Sequence, residues 1–445
     1  MARLPVFKAA KSYADLQTAR FHMPGHKGML YPYDVTEVPG TDNLNSPTEA
    51  ILESEQLCAK VLGAKNAFFV VNGSTACNLA MLFTVGCGKR VLLGRGCHKS
   101  AINAVALAGQ EVFPLFPDEY GTYTAEAVDK ALTENPCDAV FLTSPSYRGE
   151  ASPIAEIAEV AHRHGALLLV DGAHGAHFAF SDQLPPVPKE ADIWCVSSHK
   201  TLAALTQTAI LLTGESCPYS RSTIQRMISV FQSTSPSYEL MFSIERSVLE
   251  PLDWDSHINR IAAFEDRLRA LRGVRVLGRA DRHLHDITRV NISTPCMTGH
   301  MLGMELEKRG VYPEMADVEC VTLITTPADK DEWYDRCINA LEDMGLTENE
   351  KYVTPNTSSV YSQYRGDSVL SVREALTGKT SYVSFDEAAG RISAQTVGCY
   401  PPGTAILFPG EKILPEAIEF LLNEERSGAY LFGLVDRNIV VVDED

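Results

Sequence analysis

Long apolar runs are missing from this chain. No stretch of about 18 apolar residues occurs, the length a bilayer-spanning helix needs. The opening MARLPVFKAAKSYADLQ has no apolar core of the kind a secretory signal carries. Cysteine pairing is missing too: the 11 cysteines are odd in number and form no C-x-x-C. That argues for reduced thiols rather than a disulfide framework, disfavours a zinc site, and fits a cytoplasmic protein. Positive charge is scarce, 39 Lys and Arg against 57 Asp and Glu, for a formal net charge of −18. With no basic stripe, nucleic acid is not an expected partner. The acidic excess is compatible with a cationic substrate and equally with plain solubility. There is no Walker lysine loop, so no nucleoside triphosphate site is implied. Neither an internal repeat nor a low-complexity segment is present.

What is there is β-α alternation. AFFVV (67–71), RVLLG (90–94), AVFLT (139–143), ALLLVDG (166–172), DIWCVSS (192–198) and AILLTG (209–214) read as strands. Helical patterns lie between several of them. In PIAEIAEVAHRHG, Ile154, Ile157, Ala158 and Ala161 share one helical face. Strands apolar on both faces and separated by helices imply a mostly parallel sheet covered on both sides. Ligands in such sheets bind beyond the carboxyl ends of the strands. Downstream, DWDSHINRIAAFEDRLRALR (253–272) reads as a long helix, and DITRVNIST, MLGMELEKRG, CVTLITT and EWYDRCINALEDM as a smaller α/β unit. Residues 348–366 are polar and aperiodic, a linker to a C-terminal unit.

Three motifs follow the strands. In VNGSTACN (71–78), Gly73 permits a tight turn, and Ser74 and Thr75 open a helix. Backbone N–H groups and two hydroxyls there form a phosphate cradle; a plain helix cap would use the same residues. In LLLVDGAHGAH, Asp171 ends a buried strand. A buried carboxylate needs a partner, and a pyridinium nitrogen, a helix cap or a metal shared with His174 would each serve. The third is SSHKT (197–201). His-Lys occurs three times, at 26–27, 98–99 and 199–200, but Lys200 alone ends an inner strand, one β-α-β crossover after Asp171. Burial there is tolerated if the amine is neutral or bound as an imine. Phosphate cradle, aspartate and lysine together match the three anchors of pyridoxal 5′-phosphate: phosphate, ring nitrogen and aldehyde carbon.

The same residues carry a resemblance. FHMPGHKG, VNGSTACNLAML, CHKSAINAVALAG, TSPSYRGE, VDGAHGAHF, SSHKTLAALTQTAIL and YPPGTAILFPGE, spread over residues 20–411, resemble the bacterial ornithine/lysine/arginine decarboxylases. Where that family commonly has Asp-Glu-Ala-His, this chain has Asp171-Gly172-Ala173-His174. Long members also carry an N-terminal wing domain, for which the residues ahead of FHMPGHKG leave no room, so a short form is implied. The resemblance implies an α/β chain of the pyridoxal-phosphate-dependent transferase fold type I, with a mostly parallel seven-stranded sheet. Its divisions would be an N-terminal segment (1–50), a large cofactor-binding domain (51–275), a small α/β domain (276–350) and a C-terminal decarboxylase-type domain (366–445).

By the same resemblance Lys200 would hold the cofactor aldehyde and Asp171 its ring nitrogen. Gly73, Ser74, Thr75, Ser197 and His199 would hold the phosphate. His98 would stack on one ring face and Ala173 pack on the other. STSPSY (233–238) would reach the phosphate of a partner subunit in a homodimer. Lys99 would face away, and Lys27 would either line the site or be an ordinary loop lysine. His174 and His177 would be supporting or packed core histidines. The implied reaction is α-decarboxylation of a basic amino acid, arginine or lysine ahead of ornithine, a step of polyamine biosynthesis. Asp42, Glu49 and Glu411 are the candidate acids for the cationic end of the substrate. An aminotransferase or lyase would use the same anchors but needs an arginine clamp, for which Arg365 and Arg391 are candidates. A catalytically silent cofactor-binding protein is the remaining alternative, and carbon dioxide release separates these readings.

Overall fold

The computed structural model describes residues 3–16, 18–118, 120–278, 284–348, 366–400 and 404–443. The largest sheet holds β1 (Asn66–Val70), β2 (Arg90–Gly94), β3 (Glu111–Leu115), β4 (Ala139–Thr143), β5 (Leu167–Asp171), β6 (Ile193–Val196) and β7 (Ala209–Thr213). Its order is β1-β7-β6-β5-β4-β2-β3. β7 runs antiparallel to β1 and β6, and the other strands share one direction. This is the mostly parallel sheet that the apolar runs imply. Alternate side chains serve two cores. Phe69, Leu92, Val140, Leu142, Leu168 and Trp194 point to one face, and Phe68, Val91, Leu93, Phe141, Leu169 and Cys195 to the other. Two buried faces explain why these strands read as continuous apolar runs.

Helices α1 (Pro5–Asp15) and α2 (Ala50–Val61) precede the sheet. Then α3 (Gly73–Val85) follows β1, α4 (Lys99–Ala108) follows β2, α5 (Ala125–Glu134) follows β3, α6 (Ile154–Arg163) follows β4, and the single turn α7 (Ser198–Thr201) follows β6. α6 buries the stripe foreseen from its spacing, Ile154, Ile157, Ala158 and Ala161. The carboxyl ends of β1, β2, β5 and β6 therefore open onto the amino ends of α3, α4 and α7, which collects the motif residues at one rim.

The long helix Trp254–Ala270, capped by Asp253, leads to a second sheet. It holds β8 (Arg275–Leu277), β9 (Arg289–Ser293), β10 (Met315–Ala316) and β11 (Val321–Ile324), in the order β10-β11-β9-β8, all antiparallel. Its core includes Ile258, Ile261, Phe264, Val290, Ile292, Leu302 and Ile338. Residues 380–442 form two three-stranded sheets around Val397, Leu407, Leu421 and Ile439. No helix among the described residues is long and apolar enough to cross a membrane.

Candidate active site

Gly73, the first residue of α3, has φ +74°. That left-handed conformation, rather than lack of space, selects glycine: an added Cβ would meet the Gln207 carbonyl oxygen at an ordinary 3.7 Å. Gln207 is itself at φ +82°, and its Nε2 donates to the Val71 carbonyl at 2.6 Å. Ser74 is half-buried and Thr75 exposed, on the first turn of α3 where backbone N–H groups have no helical partner. Ser197 caps α7 and is fully buried, and its Oγ has no hydrogen-bond partner in the protein. A buried hydroxyl in that condition is costly unless something else accepts from it. His199 holds its Nδ1 2.9 Å from the Thr208 carbonyl.

Asp171 closes β5, in register with Thr143 on β4 and Cys195 on β6. It is 2% exposed. Oδ2 accepts from Asn78 Nδ2 at 2.7 Å, and Oδ1 from the Ala173 N–H at 3.1 Å. Asn78 also donates to Ser100 Oγ at 2.9 Å, and Ser100 Oγ lies 2.9 Å from His98 Nδ1. The Ser100 N–H donates to that same Nδ1, so His98 caps α4 through its ring. A nitrogen that accepts a backbone N–H carries the lone pair, which puts the proton of the neutral ring on Nε2. His98 and Asp171 are thereby tied through Ser100 and Asn78. Ala173, 5% exposed, packs just beyond Asp171.

Lys200 is half-buried, and its Nζ lies 3.0 Å from His174 Nε2. Burial lowers its pKa, with the Arg289 charge adding to the effect and Asp171, Cys195 and Glu314 opposing it. The other ring nitrogen of His174 is 3.3 Å from Arg289 Nη2. The Tyr147 ring packs on His174 at 4.4 Å between centroids, and its hydroxyl donates to Glu314 Oε1 at 2.5 Å. Glu314 is exposed. Of His174, Arg289, Tyr147 and Glu314 around Lys200, the sequence points to His174 alone, as a supporting or packed core histidine. Asn78 carried a legible signal, a lone amide inside the apolar helix ACNLAML. Arg289 carried a fainter one, a charge at the start of an apolar strand.

Other candidates stand elsewhere. Asp42, at φ +69°, accepts from the N–H groups of Asn43, Thr48, Glu49 and Ile51, so its carboxylate organises the entry to α2. Glu49 is exposed at the cap of α2, on a surface groove with Arg3, Lys8 and Glu53. Glu411 is buried against both terminal nitrogens of Arg95 and accepts the Phe408 N–H. Asp42 and Glu411 thus spend their carboxylates on partners within the chain, while Glu49 stands on that surface groove. Lys27 is exposed at φ +56° and donates to the His22 carbonyl, an ordinary loop role. Lys99 is exposed on the first turn of α4. His177 pairs with buried Asp286 at 3.0 Å, a core contact. Of the clamp candidates, Arg365 and most of the linker lie outside the described residues, and Arg391 is bonded through its backbone to Ala388 and Ile413 in the C-terminal unit. The Ser233 N–H donates to Asn72 Oδ1, which fastens the 233–238 loop beside the cradle of its own chain, with Thr234 and Ser235 exposed. Among the described residues no cluster of three His, Cys, Asp or Glu could hold a metal.

These residues fit pyridoxal phosphate. The hydroxyl of Ser197 lacks an acceptor, the α3 turn offers free N–H groups, and a buried carboxylate and an amine stand one strand apart. The comparisons agree. The Orn/Lys/Arg decarboxylase major-domain model matches residues 29–250, and the C-terminal-domain model residues 360–435. An arginine decarboxylase of Bacillus subtilis is 30% identical over 98% of this chain and 97% of its own length. Another, from Halalkalibacterium halodurans, is 28% identical over 97% of this chain and 95% of its own. Among solved structures, Pseudomonas aeruginosa lysine decarboxylase A superposes with TM-score 0.84 at 17% identity, covering 99% of this chain and 80% of that one. The Francisella novicida lysine decarboxylase does so with TM-score 0.83 at 19% identity, covering 99% and 81%. The fold is accordingly that of the type I pyridoxal-phosphate enzymes. The chain belongs to the Orn/Lys/Arg decarboxylase family and is an amino-acid decarboxylase.

Proposed function

We propose that this enzyme removes the α-carboxylate of arginine or, next, lysine, with ornithine less favoured, and that pyridoxal 5′-phosphate is its cofactor. The observation that carries the reading is half-buried Lys200 just after β6, its Nζ 3.0 Å from His174 Nε2, with buried Asp171 at the end of the neighbouring strand β5. Gly73, Ser74, Thr75, Ser197 and His199 are assigned to the phosphate, Asp171 to the ring nitrogen, His98 and Ala173 to the ring faces, and Lys200 to the aldehyde. Bound there, the cofactor supplies an electron sink for the pair left when carbon dioxide departs. Asp171, braced by Asn78 and the Ala173 N–H, presents a carboxylate where a charged ring nitrogen needs one. Lys200 delivers to the substrate Cα the one proton that replaces the departed carboxylate, and the Nε2–H of His98 is the second proton source.

Glu314 replaces the three acids named from sequence. It is exposed yet near enough to act on Lys200, and Tyr147 orients it. A guanidinium or ammonium at the far end of the substrate requires such a partner. The arginine decarboxylases of the two bacteria match this chain along nearly its whole length, which favours arginine.

A homodimer is part of the reading. Phe21 is 96% exposed, Met29 84% and Leu30 79%, a run of large apolar side chains that a second copy would cover. The free cysteines fit a reducing cytoplasm. The experiment is incubation of purified enzyme and cofactor with arginine, lysine and ornithine, with products identified as agmatine, cadaverine or putrescine. Agmatine in excess is expected. Formation of a keto acid without carbon dioxide would refute the proposal, and a fully active monomer in sedimentation would refute the dimer.

A further inference from the structure

Arg289 is the first residue of β9 and is fully buried. Its Nη2 lies 3.3 Å from His174 Nδ1 and 3.3 Å from the His174 carbonyl oxygen. A guanidinium has donors and no acceptor. His174 Nδ1 faces a donor and so carries the lone pair, and the neutral ring bears its proton on Nε2. That nitrogen stands 3.0 Å from Lys200 Nζ. An ammonium could not accept from it, because it too has only donors. The pair is consistent in one way: Nε2–H donates and Nζ is a free amine.

We propose that Arg289 and His174 are positioning residues that hold Lys200 as a free amine. Arg289 fixes the His174 tautomer, and His174 Nε2–H then occupies the lone pair of Nζ and aims it. An imidazolium at His174 would also bear a proton on Nε2, but it would put a second cation against Arg289 in a buried place. Burial and its neighbours Lys200 and Arg289 indeed hold the His174 pKa well below the usual histidine range. Arg289 is in turn seated on the second sheet's side of the site. Thr288 Oγ1 accepts from its Nη1 at 3.3 Å, and Asp286 lies 3.7 Å from the same atom and also pairs with His177. Sequence distant from the lysine motif thus sets the charge of the lysine. The other groups acting on Lys200 are Asp171 from β5, Cys195 from β6, Glu314 ahead of β10 and His98 at the start of α4. The Asp171 and Glu314 carboxylates favour the ammonium, and the Arg289–His174 pair opposes them.

The inference takes Lys200 as the nucleophile from the proposed function, but its test requires no turnover. The full-length chain, stripped of cofactor, is labelled with acetic anhydride across a pH series. Labelling of Lys200 is read by peptide mass spectrometry, with exposed Lys99 as internal reference. The Lys200 midpoint should lie at least about one pH unit below that of Lys99. Arg289→Met should raise it by about one unit, roughly a tenfold fall in labelling rate below the midpoint, and Arg289→Lys, which keeps a donor, should restore it. In wild-type protein with 15N-labelled histidine, His174 should show a pyridine-like Nδ1 and a pyrrole-like Nε2. The inference is overturned by the reverse tautomer, or by a midpoint that Arg289→Met leaves in place. Should Arg289→Met not fold, His174→Leu, which removes the donor to Nζ, must raise the midpoint instead, and an unmoved value there overturns it equally. Loss of decarboxylation with this titration intact would count against the proposed reaction alone.

Discussion

Removing the Glu411 carboxylate should destabilise the protein without disturbing substrate affinity. Arg95 and Glu411 side chains are each 4% exposed. Arg95 also donates to the Ile406 carbonyl at 2.7 Å and lies 4.0 Å over the Phe408 ring, while Glu411 Oε2 accepts the Phe408 N–H at 3.0 Å. Arg95 ends the approach to His98, so the pair ties the C-terminal unit to the rim of the site. Glu411→Ala leaves a buried guanidinium without its carboxylate, which costs about 3–5 kcal/mol. At roughly 2 °C per kcal/mol, the low end for a domain of this size, the calorimetric transition should fall by about 6–10 °C. The double variant Arg95→Met/Glu411→Leu should recover most of that loss, since well-packed apolar side chains replace a buried pair at little cost. KM for arginine should stay within about twofold in the folded single variant. An unchanged transition with a KM raised about tenfold or more would return Glu411 to the substrate and refute the reasoning.

Asp171→Asn should keep the fold and most of the bound cofactor while kcat falls by about two to four orders of magnitude, because a buried charged partner is worth about 3–5 kcal/mol; stopped-assay rates check this. Glu314→Gln should raise KM for arginine by about tenfold and leave the pH midpoint of thermal stability alone, a pattern steady-state kinetics reads directly. Burial, which outweighs Arg221 and the Phe69 N–H, pushes the Glu55 carboxyl up to about 7 from 4.5. The folded state then holds that proton more tightly than the unfolded chain does. The associated stability is present below the unfolded pKa and lost as pH rises through 7, so urea unfolding at pH 5 and pH 8 should show Glu55→Gln gaining on wild type by up to about 3 kcal/mol at the higher pH.

The parallel sheet was legible because strands covered on both faces must be apolar throughout, and six of its strands declare themselves that way. β3, EVFPL, did not: it is an edge strand and, unlike β1 at the other edge, leaves Glu111 and Pro114 exposed, so no two-sided burial shaped its sequence. Lys200, Asp171, Ser197 and Gly73 were legible for a related reason. Each stands at the end of a strand or within four residues after it, and that position is a local property. Glu314 and Arg289 reach the site from the second sheet, so their roles exist only once that sheet packs against the first. The same blindness holds at Asp42 and Glu411. Sequence shows an acid near a motif, but it does not show four N–H groups or a guanidinium already satisfying it.

The most direct test of the central claim is to reduce the purified, cofactor-loaded enzyme with borohydride and map the modified peptide by mass spectrometry. The account predicts pyridoxyl modification on Lys200 and its loss in Lys200→Ala, together with loss of carbon dioxide release from arginine. Modification on Lys27 or Lys99, or undiminished carbon dioxide release by Lys200→Ala, would contradict it.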